Sequence, residues 1–189
     1  MNGQQEITVM DNDKLIDMLS EPSSRDAAFR LLMQHYGRRL YWHIRRIVVS
    51  HDDAEDALQE AFLKIYSSIS SLRSAEKLVP WLYRVATNEA LRCLRSKTRF
   101  FQSIDDLSPA LTDKLHAESF LDSDAAEVRF QQALLSLPTS QRVAFNMRYY
   151  DDLPYEQIAE ITGKSVASLK TNYHYATLKI KDYLENSDL

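Results

Sequence analysis

The chain has 189 residues, 44% hydrophobic and 26% charged, with only three glycines and five prolines, a globular composition for one domain or two small ones that favours helices over turn-rich sheets. Its single cysteine, Cys93, excludes an intrachain disulfide and argues against a cysteine-based zinc site. No apolar run approaches the roughly 18 residues of a membrane span, and the N-terminus lacks the basic start and apolar core of a signal peptide, so the expectation is a cytoplasmic protein without membrane insertion.

The formal net charge is −4, which by itself argues against a nucleic-acid partner. Its distribution argues otherwise. Residues 26–100 carry thirteen basic and eight acidic side chains, whereas residues 101–130 carry two basic and seven acidic ones. Screening acts over about 8 Å at physiological salt. A basic surface can therefore bind a polyanion while an acidic segment elsewhere sets the total.

In chain order, Leu15, Ile16 and Leu19 form a short apolar stripe, which Pro22-Ser23-Ser24 breaks. Ser23 or Ser24 can cap the next helix, whose apolar spacing (Ala28, Leu31, Leu32, Tyr36, then Leu40, Ile44, Ile47, Val48) runs past Gly37. In "HDDAEDALQEAFLKIYSSI", Asp52 and Glu55 have the spacing of a capping box. Leu58, Ala61, Phe62, Ile65, Tyr66 and Ile69 keep steps of three and four, which predicts one buried stripe. "SSISSLRSAEKLVP" reads as a loop, with Pro80 in the first turn of the following helix.

That helix, "WLYRVATNEALRCLRSKTR", has two characters. Trp81, Leu82, Val85, Ala86, Glu89, Ala90, Cys93 and Leu94 line a mostly apolar side, while Asn88, Arg92, Arg95 and Arg99 recur on another. Arg and Lys can meet phosphates, aromatic faces can stack on unpaired bases, and an amide can read a base edge. Trp81 and Tyr83 fit equally well as core aromatics.

Residues 101–125 are acidic, contain Pro109 and have weak periodicity, so they read as a linker that can hold a transient helix. Helical spacing resumes near Glu127 with Phe130, Leu134 and Leu137, and continues after Pro138 through Val143, Met147 and Tyr150. "LPYEQIAEITGKSVASLKTNYHYATLKIKDYL" then reads as helix, tight turn, helix. Pro154 starts the first helix, Ala159 allows close approach, Gly163 suits the turn and Ser165 caps the second. Val166, Leu169, Tyr173, Ala176, Ile180 and Leu184 form its inner stripe. A DNA-binding helix-turn-helix would present Ser168, Lys170, Thr171, His174 and Tyr175 to the major groove. A plain helical hairpin with a solvated face is the duller reading of the same pattern.

Asp52, Asp53, Glu55 and Asp56 gain from the helix dipole without any metal. The face carrying Asp53, Asp56, Gln59, Glu60 and Lys64 fits a protein-docking surface better than a metal site. The five histidines form no zinc motif, no glycine-rich phosphate loop occurs, and no nucleophile stands in a catalytic setting. The expectation is an all-α, non-enzymatic protein with neither cofactor nor metal.

Taken in order, "DAEDALQEAFLKIY", "PWLYRVATNEALRCLRSKTR" and "LLSLPTSQRVAFNMRYYDDLPYEQIAEITGKSVASLKTNYHYA" resemble the bacterial sigma-70 family, and the short two-domain layout resembles its extracytoplasmic-function (ECF) subfamily. The resemblance covers roughly residues 25–100 and 127–185. It implies a first domain over 1–100, a linker over 101–126 and a helix-turn-helix domain over 127–189. It implies that Asp53, Glu55, Asp56, Gln59 and Glu60 dock on the clamp coiled coil of the polymerase β′ subunit, with a second contact to the β flap. It assigns Trp81, Tyr83, Arg84 and Asn88 to recognising and melting the −10 promoter element, with Arg92, Arg95 and Lys97 on the DNA backbone. Lys170, Thr171, His174 and Tyr175 match positions that read the −35 element. An anti-sigma protein is a further implied partner. His174, Tyr175 and Pro154 depart from common family residues, so a −35 preference cannot be carried over. The alternatives are a stand-alone DNA-binding regulator, which leaves residues 51–99 unexplained, and a helical adaptor without DNA affinity.

Overall fold

A computed structural model describes residues 11–72, 74–97, 108–117 and 125–186, and every regular element among them is helical. The first half contains α1 (Asn12–Ser20), α2 (Arg25–Val48), α3 (His51–Ser68) and α4 (Leu78–Lys97). Single 3₁₀ turns at Ile69–Ser71 and Ala75–Lys77 join α3 to α4. Then come α5 (Ser108–Ala117), α6 (Ala125–Leu135), α7 (Thr139–Tyr149), α8 (Tyr155–Thr162) and α9 (Val166–Asn186). Arg99 and most of the acidic 101–126 stretch lie outside the described residues.

Leu15, Ile16 and Leu19 pack inward from α1, as their spacing predicts. Asp11 caps that helix by accepting from the backbone N–H of Asp13 and Lys14. Ser24 occupies the predicted N-cap position of α2 but does not cap it. Its hydroxyl instead donates to the Met18 carbonyl at 2.7 Å, tying α2 to α1. Gly37 lies inside α2, where an added Cβ would stand 3.6 Å from the Phe62 ring of α3.

The capping box expected at Asp52 and Glu55 does not form. Chain reversal at Val49, whose φ is +68°, starts α3 earlier, and Ser50 is its N-cap, its Oγ accepting from the Asp53 N–H at 3.5 Å. The buried stripe of α3 is Ala54, Ala57, Ala61 and Ile65. Tyr66, expected within it, is exposed. Its hydroxyl donates to Asp26 at 2.7 Å, and the Arg25 guanidinium lies 4.8 Å from its ring centroid. The small alanines let α3 approach α2 and α4 closely.

Within the acidic connector, α5 is packed rather than free: its Leu111 and Leu115 are buried in the larger core. Two apolar cores result. The smaller joins α6, α7 and α9 through Ala133, Leu134, Phe145, Ala176 and Ile180. The larger fills the first half and continues into Val143, Met147, Leu153, Ile158 and Ile161, so apolar packing crosses from one half to the other.

Gly163 ends α8 at φ +71° and its N–H bonds back to the Ala159 carbonyl at 2.8 Å. Ser165 caps α9, its Oγ accepting from the Ser168 N–H at 3.2 Å. A Cβ on Gly163 would meet nothing within 4 Å, so a substitution there is resisted by backbone conformation alone. Gly163→Ala should therefore lower stability by about 1–2 kcal/mol, and Gly163→Asn by less, read from chemical denaturation midpoints.

Candidate nucleic-acid interface

Helix α4 is amphipathic because Leu82, Ala86, Ala90 and Leu94 recur at a step of four on its inner side, all at most 1% exposed. Arg84, Asn88, Arg92, Arg95 and Lys97 are all exposed. Trp81 is half-buried against the large core. Tyr83 corrects the sequence expectation: it is 0% exposed, with the His43 ring edge-on at 4.9 Å. Its ring cannot stack on a base in this arrangement. The reason is tertiary, since a second side of α4 is covered as well as the first. Burial, with the Asp151 charge added, pushes the Tyr83 phenol up to about 12, so it stays protonated.

Glu89 is the one acidic residue on the inner side of α4, and it is 3% exposed. Lys64 of α3 donates to its Oε1, and Arg92 Nε donates to its Oε2 at 2.7 Å. Burial pushes this carboxyl up, but the hydrogen bonds and positive charges of Lys64 and Arg92 outweigh it and hold the group below the usual glutamate range. A carboxylate with a lowered folded-state pKa contributes stability at neutral pH that is lost as pH falls through that pKa. Glu89→Gln should thus be less stable than the native chain at neutral pH. The gap should close in acid, as measured by melting temperatures across a pH series.

The residues assigned to DNA and to polymerase are tied together at their border. Arg92 Nη2 donates to Glu60 at 3.3 Å, and Lys97 Nζ donates to Asp53. Arg92 is therefore engaged by two carboxylates and also braces α3 against α4. Glu55, Asp56, Gln59 and Glu60 are exposed along α3, and Asp53 is half-buried. His51 lies 3.3 Å from Glu55.

In the second half, Ser168, Lys170, Thr171, His174 and Tyr175 are all exposed on α9, opposite Leu169, Ala176 and Ile180, which are buried. Lys170 Nζ lies 5.8 Å from the Tyr155 ring centroid, and Thr171 bonds the Ala167 carbonyl at 3.1 Å. Behind this face, Phe145 stacks on Tyr173 at 5.0 Å, fixing α9 on α7. The helix-turn-helix face thus stands open on a braced support. Among the described residues, no group of three or more His, Cys, Asp or Glu is placed to hold a metal, and no helix is long and apolar enough to cross a membrane.

Comparison with known proteins decides which family the chain belongs to. The family model for sigma-70 region 2 matches residues 32–100, and that for sigma-70 region 4 matches residues 127–180. RNA polymerase sigma factor SigV of Bacillus subtilis is 31% identical over 75% of this chain and 82% of its own length. The ECF RNA polymerase sigma-E factor of Escherichia coli is 31% identical over 76% of this chain and 80% of its own. The chain belongs to the ECF sigma factors of the sigma-70 family. Two solved sigma factors share its fold. One is RpoE in complex with the anti-sigma factor NepR from Bartonella quintana (TM-score 0.65, 19% identity, 83% of this chain and 96% of that one). The other is CnrH in complex with the cytosolic domain of CnrY (TM-score 0.68, 18% identity, 93% and 99%). In this sigma factor region 2 corresponds to most of α2 with α3 and α4, and region 4 to α6–α9.

Sequence reasoning missed His43. It sits at 0% exposure inside α2, with Nε2 2.9 Å from the Thr87 hydroxyl and Nδ1 2.8 Å from Asp151. Its spacing places it on the apolar face of α2, which was the only available signal. A partner 108 residues away cannot be read from periodicity.

Proposed function

We propose that this sigma factor binds core RNA polymerase through the acidic face of α3 and reads promoter DNA with two surfaces. Arg84 and Asn88 of α4, with Trp81 beside them, engage the −10 element as its strands separate, and Arg95, Arg92 and Lys97 meet the backbone. Ser168, Lys170, Thr171, His174 and Tyr175 enter the major groove at the −35 element. The carrying observation is three outward faces: α3 presents Glu55, Asp56 and Gln59, α4 presents Arg84, Asn88 and Arg95, and α9 a polar row, each exposed over a buried side. A stand-alone regulator would need only the α9 face and gives no reason for the other two. The chain acts in the cytoplasm without catalysing a reaction itself, and an anti-sigma protein holds it inactive by covering one or both halves.

Transcription from a genomic fragment library by purified core polymerase and this chain, with 5′ ends mapped, tests the reading. Start sites sharing paired upstream elements are expected. An absence of any chain-dependent start would overturn it. Replacing both Lys170 and His174 by Ala should weaken −35 preference selectively, shown by relaxed sequence bias upstream with initiation from strong −10 elements retained.

A further inference from the structure

The two halves meet at a seam that the promoter-bound state cannot keep. Asp151, on the turn after α7, has a side chain only 4% exposed. Its Oδ2 lies 2.8 Å from His43 Nδ1, and its Oδ1 accepts from Arg46 Nη1 at 3.4 Å. The Arg46 guanidinium also lies 4.1 Å from the Tyr150 ring centroid. Lys77 and Glu160 pair at 3.7 Å at the seam's edge. Elements named −10 and −35 lie about 25 base pairs apart, or about 85 Å of duplex at 3.4 Å per step. A compact chain of this length has a radius of gyration of about 16 Å and is about 40 Å across. The halves must therefore part, and with α5 kept helical the chain between Lys97 and Ala125 still reaches about 75 Å, at about 3.4 Å per extended residue and 1.5 Å per helical one. Parting removes from His43 and Arg46 the carboxylate that now satisfies them.

The α2 face that borders the seam is suited to another anion. Arg38, Trp42 and Arg46 recur at a step of four on α2, with Arg39 adjoining. Together with Tyr150 and Asp151 they line a cleft of about 210 Å³. Trp42 is 37% exposed. Region 4 already offers this cleft a carboxylate and a flat ring, the same two chemistries that a nucleotide offers as phosphate and base. Duplex DNA has no free base faces to give, whereas a single strand does. Behind the cleft, the buried His43–Thr87 hydrogen bond ties α2 to α4. We propose that this face of α2 is an additional single-stranded-DNA surface, whose Arg46 end Asp151 and Tyr150 cover until the halves separate. The proposal rests on the promoter-binding reading above.

The test uses the full chain without polymerase, so it can fail independently of the transcription assay. Binding of a labelled single-stranded oligonucleotide is followed by anisotropy across salt, and opening by small-angle scattering. Asp151→Asn should expand the chain and tighten strand binding about fivefold. It should also steepen the salt slope by about 0.7 for each added phosphate contact. Adding Arg38→Ala and Arg39→Ala should cancel the gain while the chain stays expanded. If Asp151→Asn loses its helical circular dichroism, Glu160→Lys, which sets like charges across Lys77, serves as the opener, judged by the same Arg38 and Arg39 dependence. The proposal is overturned by a chain that stays compact, by expansion without tighter binding, by a gain that survives loss of both arginines, or by an equal gain for duplex of the same length.

Discussion

Asp56→Arg is expected to weaken binding of core polymerase by more than about tenfold, since losing a charged partner at an interface costs about 2–5 kcal/mol. Asp56 is exposed in α3, one turn before the exposed Glu60, and the buried faces of that helix are Ala54, Ala57, Ala61 and Ile65. The substitution therefore changes the outer face without touching the packing that holds α3 on α2 and α4. Circular dichroism and melting temperature should stay close to native. Duplex binding through α9 should also survive, because Ser168, Lys170, Thr171, His174 and Tyr175 are exposed on that helix and Asp56 is exposed on α3. The measurement is co-elution or fluorescence titration with core enzyme at two salt concentrations, the loss being smaller at higher salt. Unchanged affinity would remove α3 from the polymerase-facing role.

Asn88→Ala tests the other principal surface. A bidentate amide contact to a base is worth about 1–3 kcal/mol, so open-complex formation should fall by about five- to 150-fold at promoters that present the recognised base. Asn88 is exposed on α4, between the buried Thr87 and Glu89. Removing its amide leaves the inner side intact, and helix propensity improves slightly on the change to Ala. Polymerase affinity should remain near native. Permanganate reactivity of unpaired thymines separates a melting defect from a binding defect. If the variant instead loses polymerase binding, Asn88 has a structural job that its exposure does not reveal.

Much of the architecture was written in local spacing. The inner sides of α1, α4 and α9 follow from apolar residues at steps of three and four. The turn at Gly163 and the cap at Ser165 follow from conformations that those residues favour. Local chemistry misled where a nearby alternative existed. Ser24 stands at the cap position but bonds to Met18, and Ser50 takes the capping role that Asp52 was expected to have. Both outcomes depend on how the chain enters the helix, which composition does not encode. Tyr66 has the spacing of a core residue, yet Asp26 and Arg25 hold it at the surface.

By itself, the sequence determined the helical class, the division into two matched regions and the polar residues available on α3, α4 and α9. Those are properties of residues close together in the chain, where periodicity carries the information. The tertiary structure decided which of them are open. It buried Tyr83 beneath His43, paired Arg92 with Glu60 of α3, and joined Asp151 to α2 across a separation of more than 100 residues. The physical reason is that a side chain's exposure and ion partners are set by what packs against it. For these residues, the covering element comes from a distant part of the chain.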